Sequence, residues 1–304
     1  MIINIDKPIG WTSFDVVKKI KGENQNCRQL SLPELLENRD PSRIHLTKPV
    51  SGPDCNPNAL KVWVAGVTHE VSAKLREIED KQATGSDVNV YDQKYKEVSS
   101  GGRPELFSKG EPDTVMGHGQ AITRPSDTVR LVPETELVSI YGVNSAGQID
   151  RLGFTGGNDV TDNGIEADNP LNLPQAKNWA GGCASLGPLL VTADEYDDAD
   201  VIVSCEILRN GERVGFKKGE TGKNNLNMPD SLLHLERHLF RRIMLESRTL
   251  LAFFWGTPIV FSEADMSDGL QVGDVMKLEF SGGIGTLENE VAALPKTKQL
   301  EQLE

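Results

Sequence analysis

The sequence lacks any long hydrophobic run. Its longest uncharged apolar stretch is residues 250–255, whereas a membrane-spanning helix needs about 20 such residues. Near the start, Asp6 and Lys7 stand where a secretory signal peptide would need its apolar segment. These features predict a cytoplasmic protein that has no membrane partner.

Cysteine is scarce and widely spaced. The four cysteines at 27, 55, 183 and 205 form no C-x-x-C pair. Structural zinc sites and disulfide frameworks depend on closely spaced or paired cysteines. The sequence therefore predicts neither kind of stabilisation.

An excess of basic residues is also missing, since 32 lysines and arginines face 45 acidic residues and the net charge is −13. Proteins that bind nucleic acid usually need a basic surface, so no nucleic-acid partner is expected. One basic group lies on a predicted helix and is interpreted as its solvated face. It consists of Arg237, His238, Arg241, Arg242 and Arg248.

The composition is that of a globular protein that can bury a sizeable core. Apolar residues make up 38% and charged residues 25% of 304 residues. A rise in proline, glycine and aspartate over residues 46–57 indicates a linker. The sequence thus predicts an α+β protein with a small N-terminal α/β domain and linker at 1–57, followed by a β-dominated domain at 58–304.

Local patterns predict several elements of the second domain. Residues 84–103 are polar and rich in glycine and serine, which indicates a mobile loop or lid. The dipeptide Asn210-Gly211 favours a tight hairpin turn, and leucines at helical spacing indicate a helix over 231–247. Strands are predicted at 137–141, 149–154, 201–208, 214–216 and 275–280.

Two glutamates, Glu134 and Glu136, are separated by one residue in a predicted strand. Side chains at i and i+2 of a strand point to the same face and lie close together. If that face is solvent, two like charges there are unremarkable. If it is apolar, the pair requires a compensating cation.

Two further segments carry polar groups in constrained surroundings. Asp159 follows a strand and a glycine pair, where an aspartate commonly forms an Asx-turn or a helix cap. Lys177 ends a segment that contains Pro170 and Pro174 and is predicted to form a rigid loop. A lone lysine is usually a surface residue, but one beside a divalent cation would have a depressed pKa and could exchange protons near neutrality.

The first residues of the chain resemble a class of RNA-modifying enzymes. D-K-P-I-G-W-T-S at 6–13 is similar to the N-terminal signature of tRNA pseudouridine synthases. In those enzymes a glycine-histidine motif carries the nucleophilic aspartate, whereas here Asp40-Pro41 follows Asn38-Arg39. Without that motif, the stretch predicts no RNA-modifying activity.

Seven short motifs follow one another between residues 103 and 287. They are R-P-E-L-F-S-K at 103–109, G-H-G-Q-A-I at 117–122, P-E-T-E-L at 133–137, N-D-V at 158–160, A-D-N-P-L-N-L-P-Q-A-K at 167–177, G-T-P-I-V at 256–260 and I-G-T-L at 284–287. In this order and spacing they resemble the fumarylacetoacetate hydrolase superfamily, in particular its branch of 2-keto-3-deoxy sugar acid dehydratases, and the resemblance covers about residues 46–291.

The resemblance implies a mixed β-sandwich roll that binds one divalent cation, and it implies a homodimer or homotetramer. It assigns the metal ligands to Glu134, Glu136 and Asp159. Three carboxylates without histidine or thiolate favour Mg²⁺, Mn²⁺ or Ca²⁺ over zinc. The remaining site residues implied are Lys177, Glu166 and His69 as catalytic groups, and Lys109, Thr257 and Glu105 as substrate-binding groups.

The implied reaction begins with a 2-oxo acid that loses a proton at C3, giving an enolate stabilised by the cation. Loss of the C4 hydroxyl would complete the dehydration of a 2-keto-3-deoxy sugar acid. The alternative is C–C bond hydrolysis of an acylpyruvate or a related β-diketone, for which His69 and Glu70 would activate water. The dehydratase branch usually has tyrosine in place of His69, and a structural histidine is the competing interpretation. A non-catalytic homologue is a further alternative, which the presence of all three carboxylates and Lys177 disfavours.

Overall fold

The computed structural model of the chain describes residues 43–45, 60–70, 74, 90–143, 147–246 and 249–296. The predicted N-terminal strand, helix and linker, and the segment that resembles pseudouridine synthases, lie outside these residues. Within the described part, no helix combines the length and the apolar character that a membrane span requires. Cys183 and Cys205 are buried free thiols, while the other two cysteines lie outside the described residues.

The larger of the two main sheets has eight strands. Its principal order is β1-β10-β8-β7-β13-β2-β3, with β4 pairing to β10. The pairs β13·β2 and β10·β4 are parallel and the others are antiparallel. The strands are β1 Arg43–His45, β2 Leu60–Gly66, β3 Glu105–Ser108, β4 Val115–Met116, β7 Thr135–Val143, β8 Ile149–Asp159, β10 Ala184–Thr192 and β13 Leu250–Phe254.

A second sheet has five strands in the order β12-β11-β14-β15-β5, and a short third sheet pairs β6 with β9. The five strands are β5 Ile122–Arg124, β11 Val201–Arg209, β12 Glu212–Thr221, β14 Val275–Phe280 and β15 Gly285–Ala293. The short pair is β6 Leu131–Val132 and β9 Thr161–Asp162.

Helices are few and short in the described part of the chain. The α-helices are α1 Val90–Ser99, α2 Asn163–Asp168, α3 Leu173–Lys177 and α4 Leu232–Phe240, and a 3₁₀ turn covers Pro170–Asn172. In α4, Leu232, Leu235 and Leu239 are buried. This spacing places one apolar stripe against the core.

The core lies between and around the sheets. Strand β13 is buried on both faces, which explains why its sequence is a continuous apolar run rather than an alternating one. Leu251 and Phe253 face the side that packs on the five-stranded sheet, while Leu250 and Phe254 belong to the cluster on the opposite side. The result is a β-sandwich with peripheral helices, as the resemblance implies.

Both predicted strand pairs form. β7 and β8 pair in antiparallel fashion, and β11 and β12 are joined at Asn210 and Gly211. These two turn residues have φ of 53° and 83°, the positive values that a type I′ turn requires. Residues 275–280 also form the predicted strand.

Three local predictions were wrong. Residues 90–99, within the predicted mobile loop, form α1, because charged pairs at i,i+3 and i,i+4 support the helix and Val98 is buried in the core. Helix α4 ends at Phe240 rather than near 247, since the chain must turn back before β13. The proline-framed loop before Lys177 contains a 3₁₀ turn and α3.

Candidate metal and active site

Glu134, Glu136 and Asp159, together called the carboxylate cluster, meet at one end of the central strands. One carboxylate oxygen from each lies within 4.8 Å of the others, and the three residues are no more than 5% exposed. Pairing of Glu136 with Gly157 aligns the start of β7 with the end of β8. The Asp159 N–H also donates to the Glu134 carbonyl oxygen at 3.0 Å. Strand register therefore brings the cluster together, and the glutamates face the interior rather than solvent.

Crowding of negative charge perturbs the cluster. Burial, together with the negative charges of Asp159 and Glu134, raises the pKa of Glu136 well above its ordinary value. Burial also acts to raise the pKa of Asp159, but the positive charges of Lys109 and Lys177 hold it below its ordinary value. Two lysines thus partly compensate three carboxylates.

Lys177 is one of these two compensating cations. It ends α3, and its Nζ lies 3.0 Å from Glu134 Oε2 and 2.8 Å from Asp159 Oδ2. The same Nζ donates to Thr161 Oγ1 at 2.7 Å and lies 5.3 Å from the centroid of the Phe107 ring. The structure therefore joins Lys177 to two members of the carboxylate cluster.

Lys109 lies behind the cluster and is completely buried. Its Nζ donates to the Val160 carbonyl at 2.5 Å and to the Lys177 carbonyl, and it forms an ion pair with Asp159 Oδ1 at 3.0 Å. The Trp179 ring covers it, with a centroid 4.9 Å away. These contacts turn Lys109 toward the protein, whereas the sequence predicts a substrate-binding role. That role stays a prediction.

The donor set fits a hard divalent cation. Glu136 Oε2 accepts a hydrogen bond from the Gly256 N–H at 2.7 Å, whereas Oε1 is buried and has no hydrogen-bond partner among the described residues. A buried polar atom without a partner is costly unless a ligand satisfies it. Two further carboxylates lie beside it, so the cluster offers the anionic oxygen ligands that Mg²⁺, Mn²⁺ and Ca²⁺ prefer.

The carboxylate cluster opens into a cavity that is continuous with solvent, and the open space in and in front of it is about 430 Å³. Its walls come from the ends of five adjacent strands, β8, β7, β13, β2 and β3, together with α2 and α3. The remaining lining residues are Val64, Ala65, Gly66, Val67, Glu105, Phe107, Glu166, Leu173, Lys177, Gly256 and Thr257.

Three other predicted site residues border this cavity. Glu105 lies against Gly66, where a Cβ would stand 1.9 Å from Glu105 Oε2, so the glycine makes room for the carboxylate. Glu166 is buried in α2. The Thr257 hydroxyl lies 2.6 Å from the Ile259 carbonyl and 3.1 Å from that of Thr135, which fixes the loop after β13.

His69 does not border the cavity. Its ring nitrogens lie 2.9 Å from Thr68 Oγ1 and 3.0 Å from Thr221 Oγ1, and burial lowers its pKa to about 4. The adjacent Glu70 is exposed and forms an ion pair with Lys74. The histidine–glutamate pair that would activate water is therefore not assembled at the carboxylate cluster.

Sequence reasoning missed several contributors to the site. Thr161 bonds to Lys177, and its position two residues after Asp159 in an extended segment could have indicated it. Gly256 contacts Glu136 from 120 residues away, a relation for which the sequence carries no local signal.

Comparisons with known proteins agree with this architecture. Residues 78–292 match the family described as fumarylacetoacetate (FAA) hydrolase C-terminal. The chain is 34% identical over 254 residues to 2-dehydro-3-deoxy-D-arabinonate dehydratase of Saccharolobus solfataricus, covering 83% of this chain and 76% of the relative. It is 32% identical over 251 residues to a probable 2-keto-3-deoxyxylonate dehydratase of Haloferax volcanii, with 82% and 76% coverage.

A solved structure supports the same relation. The structure of 2-keto-3-deoxy-D-arabinonate dehydratase complexed with magnesium and 2,5-dioxopentanoate aligns with a TM-score of 0.62 and 26% identity. The alignment covers 92% of this chain and 88% of that protein. Together with the family match, which spans most of the sequence, these similarities show that the chain belongs to the fumarylacetoacetate hydrolase family.

Proposed function

We propose that this protein is a divalent-metal-dependent hydro-lyase that dehydrates a 2-keto-3-deoxy sugar acid. The observation that carries the proposal is the buried carboxylate cluster, which joins Lys177 at the floor of a solvent-connected cavity. Dehydratases of such acids are the relatives described above, and one of them binds magnesium with a 2-oxo acid. Magnesium is the proposed ion, with manganese or calcium as alternatives.

Charge balance supports an anionic substrate. With Lys109 and Lys177, the ionised carboxylate cluster carries one net negative charge. A divalent cation would reverse this to one net positive charge, opposite in sign to the single carboxylate of a sugar acid. Glu105 and Glu166 add negative charge around the same cavity, so the attraction of the substrate carboxylate would be local to the cation and Lys177 rather than long-range.

Dehydration breaks the bond from C3 to its hydrogen and the bond from C4 to its hydroxyl, and it forms a C3–C4 double bond with release of water. A cation at the carboxylate cluster would supply a Lewis acid for the substrate's 2-oxo group. Lys177 Nζ, which contacts Glu134 and Asp159, would stabilise developing negative charge or move the C3 proton. Glu166, which lines the cavity, would assist the departure of the C4 hydroxyl, while Glu105 and Thr257 would hold the sugar chain.

The decisive experiment treats the purified protein with a chelator and supplies a 2-keto-3-deoxy pentonate or an acylpyruvate, with and without Mg²⁺. We expect the sugar acid to lose one water only when Mg²⁺ is present. Mass spectrometry and NMR detect this loss. Lys177→Met should abolish this loss, while the control Lys218→Met, at an exposed position of β12, should retain it. Cleavage of the acylpyruvate without dehydration of the sugar acid would establish the alternative C–C hydrolase instead.

A cytoplasmic location and a homodimeric or homotetrameric assembly stay predictions from the sequence. The hydrolase alternative needs a base near the cavity, and the placement of His69 and Glu70 gives it no support. The dehydration proposal requires no such pair, so the geometry favours it.

A further inference from the structure

A chain of hydrogen bonds connects a buried histidine with the carboxylate cluster. The Gly256 N–H donates to Glu136 Oε2 at 2.7 Å. The carbonyl of the same peptide unit, Trp255 O, accepts from Thr68 Oγ1 at 2.6 Å. Thr68 Oγ1 in turn lies 2.9 Å from His69 Nδ1. One peptide group is therefore held at both ends, by a threonine on one side and by a cluster glutamate on the other.

The direction of each hydrogen bond follows from the number of protons available. The Thr68 hydroxyl has a single hydrogen and donates it to the Trp255 carbonyl, so it accepts a hydrogen from His69 Nδ1. His69 Nε2 then accepts from the Thr221 hydroxyl at 3.0 Å. Thr68, His69 and Thr221 are at most 3% exposed. These three side chains are therefore hydrogen-bonded to one another or to the backbone away from water.

The backbone at Gly256 is adapted to this arrangement. Its φ is +87°, and a Cβ there would lie 2.1 Å from Thr68 Oγ1 and 2.7 Å from the Ala65 carbonyl oxygen. Glycine permits both the dihedral angle and the close approach. In a planar trans peptide the C=O and N–H point in opposite directions. Fixing the carbonyl with Thr68 therefore aims the N–H at Glu136.

We infer that His69 is a positioning residue for the metal site. It fixes the Thr68 hydroxyl, which orients the Trp255–Gly256 peptide, and the peptide N–H holds Glu136 Oε2 so that Oε1 is left for a cation. The inference rests on the proposed metal-dependent function of the carboxylate cluster. It assigns His69 a role through other groups rather than at the substrate.

The test compares two matched pairs of variants by their affinity for Mn²⁺, measured by electron paramagnetic resonance of the chelator-treated protein. Thr68→Val removes the hydroxyl, whereas Thr68→Ser keeps it. His69→Leu removes the donor, whereas the amide of His69→Asn can replace Nδ1–H. We expect affinity to fall about tenfold in T68V and H69L, as is typical when a partner of a metal ligand is lost. Affinity should stay close to the wild-type value in T68S and H69N.

Hydrogen exchange of the Gly256 amide provides a second readout in the metal-free protein. We expect faster exchange in T68V and H69L than in T68S and H69N. If T68V does not fold, the comparison of H69L with H69N tests the same inference. Wild-type Mn²⁺ affinity and Gly256 protection in folded T68V or H69L would overturn the inference, as would loss of turnover in H69N with unchanged metal affinity.

These readouts separate the inference from the proposed reaction. Neither Mn²⁺ affinity nor exchange at Gly256 requires a substrate. Both measurements therefore test the role of His69 even if the protein does not dehydrate sugar acids. If the wild-type protein binds no Mn²⁺, the proposed metal-dependent function fails. Exchange at Gly256 would still show whether Thr68 and His69 position the peptide.

Discussion

At the scale of single residues, the molecule tolerates a costly arrangement of buried charge. Three carboxylates are held within 4.8 Å of one another, with Lys109 and Lys177 as the compensating cations in contact with them. Removing an unpaired charge from such a site can stabilise a protein, whereas it destroys an ion-binding function. Stability and metal binding should therefore respond in opposite directions to one substitution.

Glu136→Gln tests this opposition. The glutamine oxygen can still accept from the Gly256 N–H, but one anionic ligand is lost, so Mg²⁺ affinity should fall by at least about 100-fold. The metal-free variant should melt at a higher temperature than the metal-free wild type, because repulsion with Glu134 and Asp159 is relieved. Thermal melts over a range of Mg²⁺ concentrations measure both effects.

The exposed Glu290→Gln provides the matched control for this substitution. It removes the same charge from the surface and should retain the Mg²⁺-dependent rise in melting temperature. An E136Q protein that Mg²⁺ stabilises as strongly as the wild type would contradict the assignment of Glu136 as a ligand.

At the scale of elements, the turn between β11 and β12 requires a particular backbone conformation at Gly211. Gly211 has a φ of +83°, and a Cβ there would meet nothing within 4 Å. Gly211→Ala should therefore destabilise the fold by about 1 kcal/mol through the left-handed conformation and not through a clash. Gly211→Asn should lose less, since asparagine adopts this conformation more readily. Urea denaturation measures the difference, and equal stability of G211A and wild type would contradict it.

The elements that sequence patterns predicted are those specified by neighbouring residues. The Asn210-Gly211 turn predicted the hairpin of β11 and β12, because its signal lies within a few residues. Helix α1 was not predicted because the segment is mostly polar. Its one fully buried apolar residue among those described, Val98, packs on distant parts of the chain that the local sequence does not reveal. The end of α4 was misplaced since the leucine spacing gives no sign of where the chain must turn toward β13.

The same distinction applies to the site. The spacing of Glu134 and Glu136 predicted that their side chains would converge, while only the family resemblance indicated Asp159 and Lys177. Sequence reasoning did not find the contacts of Thr68 with Trp255, since they join residues 187 positions apart. They exist because β13 lies between β2 and β7, and no local pattern specifies that order.

At the scale of the whole molecule, the sheet order converts distant segments into one site. The strands β8, β7, β13, β2 and β3 are neighbours in the sheet, and each contributes cavity residues from the same end or from the loop beyond it. The histidine that supports Glu136 lies just after β2 and bonds to Thr221 at the end of β12. His69 thereby links the second sheet to the carboxylate cluster.

The burial of His69 makes the stability of the fold sensitive to mild acid. Burial lowers the pKa of His69 from 6.5 to about 4 in the folded chain, so below pH 6.5 the unfolded chain takes up a proton that the folded chain resists. The contribution of His69 to the free energy of unfolding should fall by about 1.4 kcal/mol per pH unit through this window, and by about 3 kcal/mol once the pH reaches the folded pKa. His69→Asn removes the titrating group while keeping a donor, so its unfolding free energy should depend less steeply on pH. Urea denaturation between about pH 5 and pH 7 measures the two slopes, with Thr68→Ser as a control that alters the same pocket but keeps His69 and should keep the wild-type slope. Parallel slopes for wild type and H69N would show that His69 is not held neutral by burial.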